Sequence, residues 1–116
     1  MTTYTPPKVW TWDAENGGDW AKLNRPIAGA THDKALPLGR HPMQLYSLAT
    51  PNGVKVSIML EETGLAYEPH LVSFNTNDQL SPEFLSLNPN NKIPAILDPD
   101  GPGGAPLPLF ESGAIL

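Results

Sequence analysis

Residues 43–74, MQLYSLATPNGVKVSIMLEETGLAYEPHLVSF, put two strand-like stretches on either side of a helix-like one, and no other feature constrains the fold as much. MQLYSL alternates enough to form a short strand, and Pro42 suits its start, because proline tolerates the first strand position. Thr50-Pro51-Asn52-Gly53 makes a tight turn. Asn52 and Gly53 then open a helix that ends in Glu61-Glu62-Thr63, with Gly64 as its C-terminal stop. Its apolar residues Val54, Val56, Ile58, Met59 and Leu60 are dense enough to predict a buried face. AYEPHLVSF follows as a second strand, and Pro69 places that strand at an edge. Parallel strands cannot be joined by a tight turn, so the helix is the crossover and a right-handed βαβ unit is expected.

Downstream, NTNDQLSPEFLSLNPNNK reads as a polar loop with a short helical piece over residues 81–87. Ser81 can cap that piece, Pro82 fits its first position, Glu83 joins its first turn, and Asn88-Pro89 ends it. KIPAILD is a third strand, DPDGPGGAP a turn dense in glycine and proline, and LPLFE a fourth strand, so the last pair forms an antiparallel hairpin. ESGAIL begins a final helix with Glu111 and Ser112 at its positive end. The chain stops one turn into that helix, and so short a helix is unstable alone because nucleation is costly. The expectation is therefore the front part of something longer, or a truncated product.

Residues 1–42 lack sustained periodicity and carry breakers at Pro6, Pro7, Gly17, Gly18, Pro26, Gly29, Pro37, Gly39 and Pro42, which predicts an irregular arm rather than a domain. Trp10, Trp12 and Trp20 can each bury roughly 150–250 Å². The arm is thus expected to pack along its own chain or to dock on a partner subunit. A length of 116 residues suits one domain plus this extension, and 40% apolar against 16% charged residues suits a globular core. No apolar run approaches the roughly 20 residues of a membrane span, and MTTYTPPKVW lacks the apolar centre of a signal peptide. This reads as a cytoplasmic protein with no membrane partner.

Seven basic residues against twelve acidic ones give a net charge of −5 without a basic cluster, which excludes an electrostatic footprint for nucleic acid. The absence of cysteine excludes disulfides, thiolate metal sites and a cysteine nucleophile, so any thiol chemistry has to arrive with a ligand. His32, His41 and His70 show neither metal-ligand spacing nor triad partners and read as structural or surface residues.

The order β-α-β-α-β-β-α is that of an α/β thioredoxin-like domain, and Ile93-Pro94 stands where that fold places a cis-proline. TPNGVKVSIMLEE, NPNNKIPAI and LFESGAIL closely resemble the N-terminal domain of bacterial glutathione transferases. The arm, PPKVWTWDAENGGDWAKLNRPIAGATHDKALPLGRHPMQLYSL, resembles that of the nu-class enzymes of the YghU type, which are glutathione-dependent disulfide-bond reductases. TPNG alone could occur in any turn; four segments in the right order carry the resemblance. It implies an arm over residues 1–42, an N-terminal transferase domain over residues 43–116 cut within its last helix, and an all-helical C-terminal domain outside this chain.

The resemblance also implies a site for glutathione. Thr50 and Asn52 would lie by the sulfur with Pro51 between them, where helix-end amides lower a thiol pKa as they do for cysteine. Read alone, both residues are equally well explained as helix caps. Glu111-Ser112 would hold the γ-glutamyl end, with Ser112 and free helix-start N–H groups taking the carboxylate and Glu111 the α-ammonium. The plainer reading is Ser112 as N-cap and Glu111 as a first-turn acid. Ile93-Pro94 would present backbone to the cysteinyl part, against the commoner trans X-Pro at a strand start. Lys92 would pair with the glycyl carboxylate, or else be a solvated lysine, and Asn24 and Gln79 would contact glutathione, or else be exposed loop amides.

The implied reaction is reduction of a small disulfide, with the bound thiolate attacking and a second glutathione resolving the mixed disulfide. Organic hydroperoxides and electrophilic carbons are further targets for the same thiol. The family also implies a homodimer for the full-length protein. The alternative is a truncated, non-catalytic binding or assembly module.

Overall fold

The crossover expected between the first two strands forms: β1, Met43–Ser47, and β2, Tyr67–Leu71, pair in parallel, with Met43 opposite Tyr67 and Ser47 opposite Leu71. Helix α1, Pro51–Thr63, joins them, beginning one residue earlier than the turn residues suggested and ending at Gly64 in the left-handed conformation (φ 70°). This computed structural model describes residues 3–9, 11, 30 and 32–116. Among them, no helix is long and apolar enough to cross a membrane.

Helix α2, Pro82–Leu87, is capped by the Ser81 hydroxyl, which accepts from Phe84 N at 3.2 Å, and a short 3-10 turn over Asp78–Leu80 precedes it. Strands β3, Ala95–Asp98, and β4, Leu107–Phe110, form the expected antiparallel hairpin, and α3, Ser112–Ile115, follows. The sheet order is β2-β1-β3-β4, so β2 with its Pro69 is an edge strand, as the proline required.

Alternating strand residues feed two cores. Leu45 and Ile96 point to one face with Val56 and Leu60 of α1 and Ile115 of α3. Tyr46 and Ala95 point to the other, with Val72 and with Phe84 and Leu87 of α2. The α1 expectation needs correcting at two positions: Val56 and Leu60 are buried, whereas Val54 and Ile58 are 41% and 56% exposed. These pairs lie on separate helical stripes, and only the first meets the sheet.

The described end of the N-terminal segment follows its own chain. Tyr46 Oη donates to Pro37 O at 2.9 Å, Lys34 Nζ meets Asp78 Oδ1 at 2.7 Å, and Leu36 packs on the second core. Trp10, Trp12 and Trp20 lie outside the described residues.

His70 is structural. Its ring stacks on Tyr46 with centroids 4.9 Å apart, and its Nε2 lies 2.6 Å from Gln44 Oε1, which also accepts from Gly39 N at 2.7 Å. An oxygen accepting at that position requires the Nε2–H tautomer of the neutral ring. Burial lowers the His70 pKa below the ordinary 6.5, and the Glu68 charge opposes this only in part. A depressed histidine pKa contributes stability that is complete above the unfolded value and is lost as pH falls through the folded one. Titration of the ring protons by NMR should therefore give a midpoint below that of a model histidine peptide, and a midpoint above it would refute this environment.

Candidate functional site

Strands β1 and β4 both run antiparallel to β3, so they run in the same direction and end at the same side of the sheet. The register fixes what gathers there. Tyr46, Ala95 and Phe110 form one row across three strands. One step further along lie Ser47 at the end of β1, Pro94 just before β3, and Glu111 just after β4. Helices α1 and α3 both start from this side, and open α/β sheets take their ligands outside the carboxyl ends of strands.

Thr50 occupies the N-cap of α1 with extended backbone, and its Oγ1 accepts from Gly53 N at 3.3 Å. Thr50 N in turn donates to Leu48 O at 2.7 Å, which folds the strand end back under the helix. Gly53 makes this possible: a Cβ on it would stand 2.0 Å from Leu48 O and 2.5 Å from Ser47 Oγ. Pro51 fills the first helical position, where its missing N–H costs nothing. Asn52 is exposed, and its Oδ1 accepts from Lys55 Nζ at 2.8 Å. Sequence reasoning missed Lys55, although its i+3 spacing from Asn52 signals the contact; from the second turn its ammonium reaches back to Asn52 in the first turn of α1.

The Ile93-Pro94 peptide is cis, with Pro94 buried and Ile93 half-buried. Lys92 is exposed, and its carbonyl accepts from Asn88 Nδ2 at 2.7 Å. The Asn88-Pro89 pair reads as a plain helix stop, yet Asn88 is 1% exposed.

The cap of α3 falls one residue earlier than a serine N-cap predicts. Glu111, not Ser112, holds the N-cap position; it makes no side-chain cap bond, and Ser112 is the first helical residue. Glu111 has φ 69° and ψ 115°, a conformation a non-glycine residue seldom adopts. Its side chain is exposed, and its carbonyl accepts from Ala114 N and Ile115 N.

Gln79 is likewise no exposed loop amide. It is 2% exposed, and neither its Oε1 nor its Nε2 has a hydrogen-bond partner among the described residues. A buried amide without partners costs about 1–3 kcal/mol, so this position favours an added polar group. Asn24 lies outside the described residues. An apolar hollow of about 350 Å³ opens between α1 and β2, lined by Leu45, Leu48, Val54 and Leu71 among others, on the opposite side of β1 from Pro94 and Glu111.

Residues 41–116 match the glutathione S-transferase N-terminal domain. The chain is 52% identical, over 98% of its length and 41% of the relative's, to the disulfide-bond oxidoreductase YghU of Escherichia coli. Among solved structures it resembles glutathione transferase YghU from Streptococcus pneumoniae, complexed with glutathione, with TM-score 0.81 and 45% identity over 98% of this chain and 45% of that one. It also resembles a glutathione transferase from Burkholderia graminis with two glutathione molecules bound per subunit: TM-score 0.63 and 83% identity over 66% of this chain and 32% of that one. The chain spans less than half the length of each of these proteins. With its mixed four-stranded, thioredoxin-like sheet, this chain belongs to the glutathione S-transferase family, through that family's N-terminal domain.

Proposed function

We propose that the chain binds glutathione at the carboxyl ends of β1 and β4, and that the protein carrying it is a glutathione-dependent disulfide-bond reductase. The observation that carries this reading is the convergence of Thr50, Pro94 and Glu111 at one side of the sheet in a chain that has no cysteine. Relatives named as disulfide-bond oxidoreductases and structures solved with glutathione support it.

The residues present fit such a ligand. The α1 N-terminus offers backbone N–H groups and the Lys55 charge, which together favour a thiolate over a thiol. Thr50 and Asn52 orient the sulfur beside Pro51. The Ile93-Pro94 backbone receives the cysteinyl part, and Lys92 neutralises the glycyl carboxylate. The Glu111 carboxylate, which makes no cap bond to its own helix, accepts from the α-ammonium while Ser112 donates to the γ-glutamyl carboxylate. Gln79 has two unused polar atoms to offer, and Asn24 belongs to the same set by resemblance. Bound glutathione supplies the sulfur and the electrons: two of its thiols become one disulfide while a substrate disulfide becomes two thiols. The protein's share is a fixed position and a lowered thiol pKa. The same thiolate extends the activity to organic hydroperoxides and electrophilic carbon, and the full-length protein works as a cytoplasmic homodimer.

The test is retention on immobilised glutathione together with glutathione-dependent reduction of 2-hydroxyethyl disulfide. Retention with turnover is the expected result. Retention without turnover would replace the enzyme with a binding or assembly module, and neither would overturn the glutathione site.

A further inference from the structure

We infer that Asn88 is a positioning residue, whose buried carboxamide sets the Lys92–Ile93 backbone against the ligand; this rests on the glutathione reading above. Asn88 N donates to Phe84 O at 2.9 Å, which ties the residue to the end of α2, and Phe84 and Leu87 anchor that helix in the second core. From there Asn88 closes the loop ahead of β3 with three further bonds. Its carbonyl accepts from Asn91 N at 3.2 Å, its Oδ1 accepts from Asn90 N at 2.9 Å, and its Nδ2 donates to Lys92 O at 2.7 Å.

The carboxamide has one workable orientation. Flipped, it would set oxygen against the Lys92 carbonyl and an amino group against the Asn90 N–H. The loop's awkward residue, Asn91 at φ 60°, is of a type that tolerates the left-handed region. With the loop tip exposed at Pro89 and Asn90, the Nδ2 bond is the link that passes the rigidity of α2 to the residue just before Ile93. Backbone that must bind a peptide group gains affinity when it is held in place before the ligand arrives.

The experiment separates the two arms of the carboxamide. Asn88→Asp keeps an acceptor for Asn90 N but turns an oxygen on the Lys92 carbonyl, and Asn88→Ala removes both arms. In the full-length protein, glutathione affinity by calorimetry should fall about fivefold to tenfold in both variants, the scale of one lost hydrogen bond. KM for glutathione should rise in step while kcat and the ultraviolet-monitored pKa of the bound thiol stay at wild-type values, because α1 is untouched. A merely structural role would instead lower the melting temperature without this split. If Asn88→Asp cannot be purified folded, Asn88→Ser carries the same expectation. Wild-type affinity in the folded variants would overturn the positioning role alone. Wild-type protein that binds no glutathione would overturn the function and this role together.

Discussion

Replacing Gly53 with alanine should lower the thermal midpoint by about 10 °C, although alanine is the better helix former. The added Cβ would stand 2.0 Å from Leu48 O, a backbone atom already held by Thr50 N, and 2.5 Å from Ser47 Oγ. Neither the strand end nor the first turn of α1 can yield cheaply, so the cost lies at the upper end of the overpacking range, about 3 kcal/mol. Helix propensity returns about 1 kcal/mol of this, leaving a net loss of about 2 kcal/mol. Gly113→Ala is the internal control: nothing lies within 4 Å of its new Cβ, so only the propensity gain remains. Thermal melts of the two variants should shift in opposite directions. A Gly53→Ala protein as stable as wild type would mean that the packing of α1 on the end of β1 is looser than the structure shows. Because the clash also displaces the helix start that carries Thr50 and Asn52, the proposed glutathione affinity should fall along with stability.

Features governed by a few adjacent residues were legible in the sequence. The edge position of β2 followed from Pro69, the end of α1 from Gly64, the start of α2 from Ser81-Pro82, and the hairpin from its turn composition. What depends on distant packing was not. Helix α1 carries two apolar stripes four residues apart in repeat, Val56-Leu60 and Val54-Ile58, and nothing local says which one meets the sheet. Gln79 looked like a loop amide because its neighbours are polar; its burial is set by elements far away in sequence. Ser112 resembled a cap because serine caps helices, but the strand-to-helix turn puts the positive φ on Glu111 and moves the boundary by one residue.

The site shows the same division. Thr50, Asn52, Glu111 and Ser112 could be marked as helix-start residues from local pattern, and Ile93-Pro94 only through the resemblance. Their gathering at one side of the sheet follows from the row Tyr46-Ala95-Phe110, which no local pattern supplies. Asn88 escaped notice because NPNN is enough to explain a helix end. Its role emerges only when one carboxamide is seen to reach two backbone groups.

Under the proposed glutathione reading, Thr50 is the residue whose loss should cost the most activity, because its one hydroxyl would then perform two tasks that can be separated. Its oxygen accepts from Gly53 N in the cap, which leaves its proton free to donate to a sulfur above the helix end. Thr50→Ala removes both. The cap is worth about 1 kcal/mol of stability. A hydrogen bond to an ionised group is worth about 1.5–3 kcal/mol, so disulfide reduction should drop on the order of 10- to 100-fold. Thr50→Ser keeps the hydroxyl and should retain most of both. Thr50→Asp divides the tasks: aspartate caps as well as threonine, so the melting temperature holds, but its carboxylate repels a thiolate and offers it no proton. The bound thiol pKa should therefore rise in the alanine variant and rise further in the aspartate variant, moving the acid limb of the pH–rate profile, where activity climbs as the thiol ionises, to higher pH in that order. Full activity in Thr50→Asp would remove Thr50 from the chemistry and leave it as a helix cap alone.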